Sequence, residues 1–271
     1  MPAQRRRSGQ GFHKLQRLFG KGRYEAQTAW KAWQAIIASI VILVGASVVA
    51  AVVLLLPEML NGVFGTAVPG AEIRGSASGR AHAELTTMLV AQVTMVLATL
   101  WAASRQGRTG LTVAQVLALN PVSARTVALA LGGLLLCLGL YNGAVQLLDP
   151  GAWSRDLVQF EPFVKPSVLW LFALIVGLGA PLSEELLFRG FLLPALAQTR
   201  VGFPGAAILS SAGWTALHWG YSASGMLEVF IIGLFLSVVL WRSGSIWATI
   251  FCHGIYNLLL IGLLQMLSVA A

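Results

Sequence analysis

Charged residues are scarce in this chain of 271 residues: they make up 10% of it, whereas soluble domains carry roughly 25%. Hydrophobic residues make up 57%, and the mean hydropathy is +0.77. This composition excludes a typical soluble domain and favours a helical protein that crosses a membrane several times. The apolar runs are continuous and too long to be the alternating strands of a membrane β-barrel.

Cysteine is also rare, since the chain has only Cys137 and Cys252. Both lie inside apolar runs, which excludes a disulfide framework. Cys252 directly precedes His253, but adjacent helical residues point about 100° apart. We therefore expect Cys252 to be an inert buried thiol.

Several familiar hydrolase signatures are missing. The sequence has no HExxH motif, and the segment 220–225 reads GYSASG, which is not GxSxG. Asp149 stands at the boundary of an apolar run, and no aspartate or lysine lies within one. A paired-aspartate site and a lysine-activated serine are therefore unsupported.

Seven apolar segments have lengths near the roughly 20 residues that span a bilayer, although the fifth and sixth are short. We therefore predict an all-α, polytopic transmembrane helical bundle. Half-helical segments at 111–120 and 190–200 would raise the count of spans to eight. The seven predicted spans are Ala35–Leu56, Leu85–Ala103, Thr126–Leu148, Val168–Arg189, Pro204–Trp219, Met226–Trp241 and Ile246–Leu267.

Basic residues are distributed unevenly, and eight of the 18 lie within the first 34 positions. If the N-terminus is cytoplasmic, only Arg74, Arg80, Arg155 and Lys165 fall in outside loops, as the positive-inside rule requires. We expect a plasma-membrane protein whose partners are the lipid bilayer and a peptide or membrane-protein substrate, without nucleic acid. The predicted parts are a basic cytoplasmic tail (1–34), N-terminal transmembrane helices (35–160) and a catalytic transmembrane core (161–271).

Ionisable side chains inside the fourth span are the first functional signal, because such groups are costly in a membrane and need partners. Glu185 and Arg189 are four positions apart, so they share a helix face and can form an internal ion pair. Glu184 points elsewhere, about 140° from Arg189 around the helix, and can face a cavity.

Two later spans carry further polar pairs at a spacing of four residues, Trp214 with His218 and His253 with Asn257. Each pair can face the centre of the bundle. From their positions along the spans, we expect Glu184 and these side chains to meet in the cytoplasmic half of the membrane.

This set of side chains suggests the activation of water for hydrolysis. Glu184 can take a proton from water, His218 can help to hold that water, and His253 with Asn257 can donate hydrogen bonds to an oxyanion. The expected site then needs no cofactor. A zinc site formed by Glu184, His218 and His253 is the alternative, and spacing alone does not separate the two.

The three motifs resemble those of the CPBP family, the CAAX-protease and bacteriocin-processing (Abi) membrane proteins related to the type II CAAX prenyl endopeptidase. The family pattern EExxxR is complete here, FxxxH has Trp214 in place of Phe, and HxxxN is complete. The resemblance covers about 165–262. It implies an intramembrane endopeptidase with Glu184 as general base, His218 as its water-binding partner, and His253 and Asn257 as oxyanion donors.

We therefore predict a CAAX-protease-like endopeptidase that acts on membrane-associated, prenylated or leader-type peptides. Glu185, Arg189 and Trp214 would support the site. A non-catalytic membrane scaffold or bacteriocin-immunity factor with the same fold is the alternative. A transporter is disfavoured, because the sequence shows neither an internal repeat nor paired discontinuous helices.

Overall fold

The structure, a computed structural model, describes residues 23–64, 76–107 and 109–270. Within these ranges it contains nine α-helices, one 3₁₀-helix and no β-strand, which confirms the predicted all-α class. Residues 1–22 of the predicted basic tail lie outside the described ranges. The helices are α1 (Ala32–Phe64), α2 (Ala77–Ser104), α3 (Val113–Val116), α4 (Ala124–Leu148), α5 (Ala152–Leu157), α6 (Leu169–Ala197), α7 (Gly202–Ala216), α8 (Ala223–Ser243) and α9 (Ile246–Ala270); the 3₁₀-helix spans Val158–Phe163.

Local sequence explains where several helices begin and end. Serine side chains cap the first backbone N–H groups of α2, α4 and α8 at Ser76, Ser123 and Ser222. Thr112 and Gln115 form a reciprocal capping box on α3. Gly244, with φ of 69°, ends α8 in the left-handed conformation that glycine adopts readily.

One end of the bundle, here called the proximal end, collects segments that are distant in sequence. The backbone N–H of Tyr24 donates to the carbonyl of Trp241 at 3.2 Å, and Gln198 Nε2 donates to the carbonyl of Thr28 at 3.1 Å. The proximal end thus contains loops that the charge distribution predicts to be cytoplasmic. Its segments are 23–30, 102–106, 118–120, 198–202 and 241–246.

The opposite end, here called the distal end, is held by polar contacts of the other loops. Asp156 Oδ1 accepts a hydrogen bond of 2.7 Å from the backbone of Ser222, and Tyr141 donates one of 2.7 Å to the carbonyl of Ser224. These loops are the ones predicted to face the outside.

Among the described residues, six helices are long and apolar enough to cross a membrane: α1, α2, α4, α6, α8 and α9. The seventh predicted span, Pro204–Trp219, differs from the prediction because α7 has only 15 residues and is about 22 Å long. It nevertheless begins at the proximal end, where Phe203 packs on Tyr24, and leads to the distal end at Ser222. The chain therefore passes seven times between the two ends, and the fifth pass is short.

The two half-helical segments add no span. Residues 113–116 form the four-residue helix α3, whose following residue Leu117 is buried against the bundle. The segment 190–200 is mostly the continuation of α6, which runs to Ala197 rather than ending at Arg189. Arg189 is fully buried, so it is an internal cation and not a loop charge.

Candidate active site

Helix α6 carries the first motif and is irregular. It contains two π-helical stretches, Ile175–Gly179 and Glu185–Leu192, separated by the α-helical turn Ala180–Glu184. π-Turns inside α-helices are rare and occur frequently at functional sites. Glu184 therefore stands at a junction between two backbone conformations, near the middle of α6, which is the most buried of the six described helices of membrane-spanning length.

The carboxylate of Glu184 is oriented by Trp214. The indole Nε1 of Trp214 donates a hydrogen bond of 2.6 Å to Oε2 of Glu184. Glu184 is only partly buried, and its Oε1 makes no hydrogen bond with the described residues. One carboxylate oxygen is thus fixed, and the other remains open to a bound molecule.

Trp214 also packs against the other polar side chains of the site. The guanidinium carbon of Arg189 lies 4.4 Å from the centre of the Trp214 ring, as in a cation–π contact. The rings of His218 and His253 lie edge-on to the same indole, at centroid distances of 5.1 and 5.4 Å. A single buried aromatic side chain therefore links all three motifs.

Glu185 is the buried ion-pair partner of Arg189. The two side chains are fully buried, and Arg189 Nη1 donates to Glu185 Oε1 at 3.0 Å. Nδ1 of His253 lies 3.1 Å from the same oxygen. A carboxylate only accepts hydrogen bonds, so Nδ1 is the donor and Nε2 is the nitrogen left for a ligand. The contact between Glu185 and His253 was not predicted.

His218 follows the end of α7 and is partly buried. Its Nδ1 lies 3.1 Å from the backbone carbonyl oxygen of Trp214, which only accepts hydrogen bonds. Nδ1 therefore carries the proton, and Nε2 of the neutral ring is an acceptor that can hold a water molecule.

Close packing of α9 on α6 places His253 and Asn257. A Cβ atom built on Gly254 would lie 2.5 Å from the carbonyl oxygen of Gly177, so only glycine allows this approach. Asn257 Nδ2 donates a hydrogen bond of 2.8 Å to the carbonyl of Val176, in the first π-helical stretch. The second N–H of that amide remains for another acceptor.

Glu184, Trp214, His218, His253 and Asn257 all line one cavity of about 230 Å³. The structure therefore brings the four proposed catalytic side chains together from two helices, α6 and α9, and the turn after α7. Glu185 and Arg189 lie outside its lining and support it from behind. Much of the remaining wall is apolar and includes Phe160, Phe172, Val176, Leu260 and Leu264.

The depth of the cavity differs from the expected depth. Its wall includes Asp156 and Tyr221, so it extends to the distal end, whereas the sequence led us to expect the half nearer the cytoplasm. The difference arises because α6 continues past Arg189. Glu184 is 13 residues from Ala197, about 20 Å from the proximal end of this helix.

Sequence reasoning missed one acidic side chain of the cavity, Glu228 on α8. Its Oε1 accepts hydrogen bonds from Asn142 Nδ2 at 3.1 Å and from the hydroxyl of Tyr256 at 3.0 Å. The signal was present, because Glu228 is a carboxylate inside the predicted span Met226–Trp241. An ionisable side chain inside a membrane span is a functional candidate, and this applies to Glu228 as it does to Glu184.

The surroundings of Tyr221 show that the cavity is negatively charged at the distal end. Burial, together with the negative charges of Glu184, Asp156 and Glu228, raises the pKa of the Tyr221 phenol to about 12. No lysine or arginine of the described ranges lines the cavity. The site is therefore rich in carboxylates and lacks a compensating cation within its described wall.

The alternative zinc site does not fit the side chains as they stand. Glu184, His218 and His253 line the same cavity, but no three His, Cys, Asp or Glu side chains among the described residues form a group that could hold a metal ion. We therefore derive no catalytic step through a metal.

Comparison with known proteins identifies the region that contains the site. Residues 166–259 match the family model described as "Type II CAAX prenyl endopeptidase Rce1-like". Neither the curated proteins nor the solved structures gave a match. The family match and the six apolar helices support an integral membrane protein of the CAAX-type intramembrane protease class. The resemblance predicted from the three motifs is thus confirmed over residues 166–259, which are similar to the Rce1-like family.

Proposed function

We propose that the chain is an intramembrane endopeptidase that hydrolyses peptide bonds with a water molecule activated by Glu184. The observation that carries the proposal is the convergence of Glu184, His218, His253 and Asn257 on one cavity within a bundle of membrane-spanning helices. The substrates are membrane-associated peptides, of the prenylated or leader type, that reach this cavity.

Glu184 is the general base in this mechanism. Trp214 fixes Oε2, and the open Oε1 takes a proton from water as the water oxygen attacks the carbonyl carbon of the scissile bond. The C–N bond of the tetrahedral intermediate then breaks, and the proton held by Glu184 passes to the leaving amine. His218 accepts a hydrogen bond from the same water through Nε2 and keeps it in line for attack.

His253 and Asn257 stabilise the oxyanion that forms on the carbonyl oxygen. Asn257 offers its second amide N–H, and His253 offers Nε2–H when its ring carries two protons. Nδ1 of His253 donates to the carboxylate of Glu185, so the ring presents Nε2 to the cavity. Glu185 is itself held by Arg189, so the supporting ion pair fixes the orientation of the ring.

Comparing the membrane peptides of cells that carry the wild type or Glu184→Gln tests the proposal. Gln keeps the size of the side chain and its acceptor for Trp214 but cannot take the proton. We expect peptides cleaved close to membrane segments in wild-type cells and their uncut precursors in Glu184→Gln cells. The matched control is Glu161→Gln, an exposed carboxylate outside the cavity lining, which should behave as wild type.

The alternative scaffold or immunity factor makes the opposite prediction. If the chain acts only by binding partners, Glu184→Gln retains the cellular phenotype and the partners that copurify with the wild type. The metal question is separable, because a strong chelator should leave cleavage by the purified protein unchanged if Glu184 acts without zinc. Loss of cleavage with chelator, restored by zinc, would favour the metal-dependent mechanism.

A further inference from the structure

The carboxylate of Glu228 is unusual for a group inside a membrane-spanning helix, because no cation of the described residues compensates it. Asn142 and Tyr256 both donate to Oε1, whereas Oε2 makes no hydrogen bond with the described residues. The side chain is only partly buried and lines the same cavity as Glu184. An intramembrane carboxylate without a cationic partner is a candidate for binding a ligand.

Neighbouring groups fix Glu228 in place and do not neutralise it. Glu228 lies on α8, and its Oε1 accepts hydrogen bonds from Asn142 on α4 and Tyr256 on α9. Contacts among three helices therefore fix the position of this oxygen. Tyr256 also stands one position before Asn257, which ties Glu228 to the helix that carries the proposed oxyanion donors. The carboxylate is therefore held in one orientation before any ligand binds. Its other oxygen, Oε2, needs a hydrogen-bond donor that the described residues do not supply.

The charges around the cavity indicate the sign of that donor. Asp156 lies at the distal rim of the cavity, where both of its oxygens accept hydrogen bonds from Ser222. Glu184, Asp156 and Glu228 all act on Tyr221. Arg155, the described basic residue next to Asp156 in sequence, forms its salt bridge with Asp149, and its attraction to Asp156 is the weaker of the two. A cationic group gains from this field, and a free carboxylate is repelled by it.

We propose that Glu228 is a specificity-determining residue that binds a lysine or arginine side chain of the substrate close to the scissile bond, with Asp156 adding to the attraction. The inference rests on the proposed function. It narrows the substrate class to peptides that carry a basic residue close to the scissile bond.

Peptide binding to the purified full-length Glu184→Gln protein in nanodiscs tests this inference without requiring cleavage. The probes are fluorescent, C-terminally amidated dodecapeptides of leucine, alanine and serine, in which one lysine is scanned through the central positions. Matched peptides carry norleucine or glutamate at the same position. We expect the best lysine peptide to bind about tenfold more tightly than its norleucine counterpart, and the glutamate peptide to bind most weakly.

Adding Glu228→Gln with Asp156→Asn should reduce the preference for lysine to less than about twofold, and Glu161→Gln should leave it unchanged. Both substitutions in the cavity keep the size and one acceptor oxygen of the native side chain, and thermal unfolding verifies that each variant is folded. Glu228→Gln alone provides the second test and should remove most of the preference. Equal binding of the lysine and norleucine peptides, or a preference that survives in these variants, would overturn the inference.

Cleavage of the same peptides by the protein with Glu184 intact separates the two proposals. A chain that prefers lysine peptides but cleaves none contradicts the proposed endopeptidase and supports the binding site. A chain that cleaves the peptides without regard to lysine supports the endopeptidase and contradicts the role of Glu228.

Discussion

The indole Nε1 of Trp214 donates a hydrogen bond of 2.6 Å to Oε2 of Glu184, while the face of the same indole lies 4.4 Å from the guanidinium carbon of Arg189. The family pattern has Phe at this position. A phenyl ring can reproduce the contact with Arg189 but not the hydrogen bond. In this chain Trp214 therefore both fills the core and orients the proposed general base.

Replacing Trp214 separates these two contributions. Trp214→Phe should fold, keep a ring beside Arg189 and lower kcat about tenfold, because a hydrogen bond to a charged group contributes roughly 1.5–3 kcal/mol. Trp214→Ala should also lose thermal stability, because it opens a cavity beside a buried cation. Rates and thermal unfolding of the purified variants measure the difference. Equal activity of Trp214→Phe and wild type would show that the hydrogen bond has no catalytic role.

The buried pair of Glu185 and Arg189 is expected to matter first for stability. Glu185→Gln leaves the fully buried Arg189 without its counter-charge and should cost about 3–5 kcal/mol of unfolding free energy. Denaturation of the purified protein measures this loss. Asp149→Asn is the control, since it breaks the exposed pair with Arg155 and should change little. Comparable losses in the two variants would contradict the importance assigned to the buried pair.

Close contact between α6 and α9 gives a test of positioning. Gly254→Ala places a methyl group 2.5 Å from the carbonyl oxygen of Gly177, so α9 must move and carry His253 and Asn257 with it. We expect a loss of both cleavage and thermal stability. Gly262→Ala lies on the same helix in open space and should be neutral or slightly stabilising, because Ala favours helix over Gly by about 1 kcal/mol. Equal behaviour of the two variants would argue against the close contact.

The orientation in the membrane follows from the charge bias and can be measured directly. In a background with Cys137→Ser and Cys252→Ala, single cysteines at Lys165 and Arg242 mark the distal and proximal ends. A membrane-impermeant thiol reagent added to intact cells should label Lys165→Cys and spare Arg242→Cys. The opposite pattern would place the proximal end outside and reverse the predicted topology.

Much of the fold and the candidate site follows from sequence, because apolar length and helical spacing are local properties. The spacing of four residues placed Glu185 with Arg189, and the positions of three motifs led us to expect a common cavity. What escaped prediction depends on tertiary contacts. The π-helical stretches of α6, the hydrogen bond from Trp214 to Glu184 and the contact between Glu185 and His253 require knowledge of how helices pack.

The structure differs from the sequence-based prediction at two single residues, Arg189 and Glu228. Arg189 was used as the end of a span, although its burial and its pairing with Glu185 let α6 continue to Ala197. This error displaced the expected depth of the cavity. Glu228 also lies within a predicted span, and the argument that makes the intramembrane Glu184 a functional candidate applies to its carboxylate as well.

The most direct test of the central claim is the rate at which purified protein in nanodiscs hydrolyses a membrane-proximal peptide identified from the cell comparison. The account predicts that Glu184→Gln, folded as judged by thermal unfolding, loses about 10³-fold in kcat, as expected when a general base is removed. Glu161→Gln should match the wild type. Hydrolysis by folded Glu184→Gln at a rate within twofold of wild type would contradict the account.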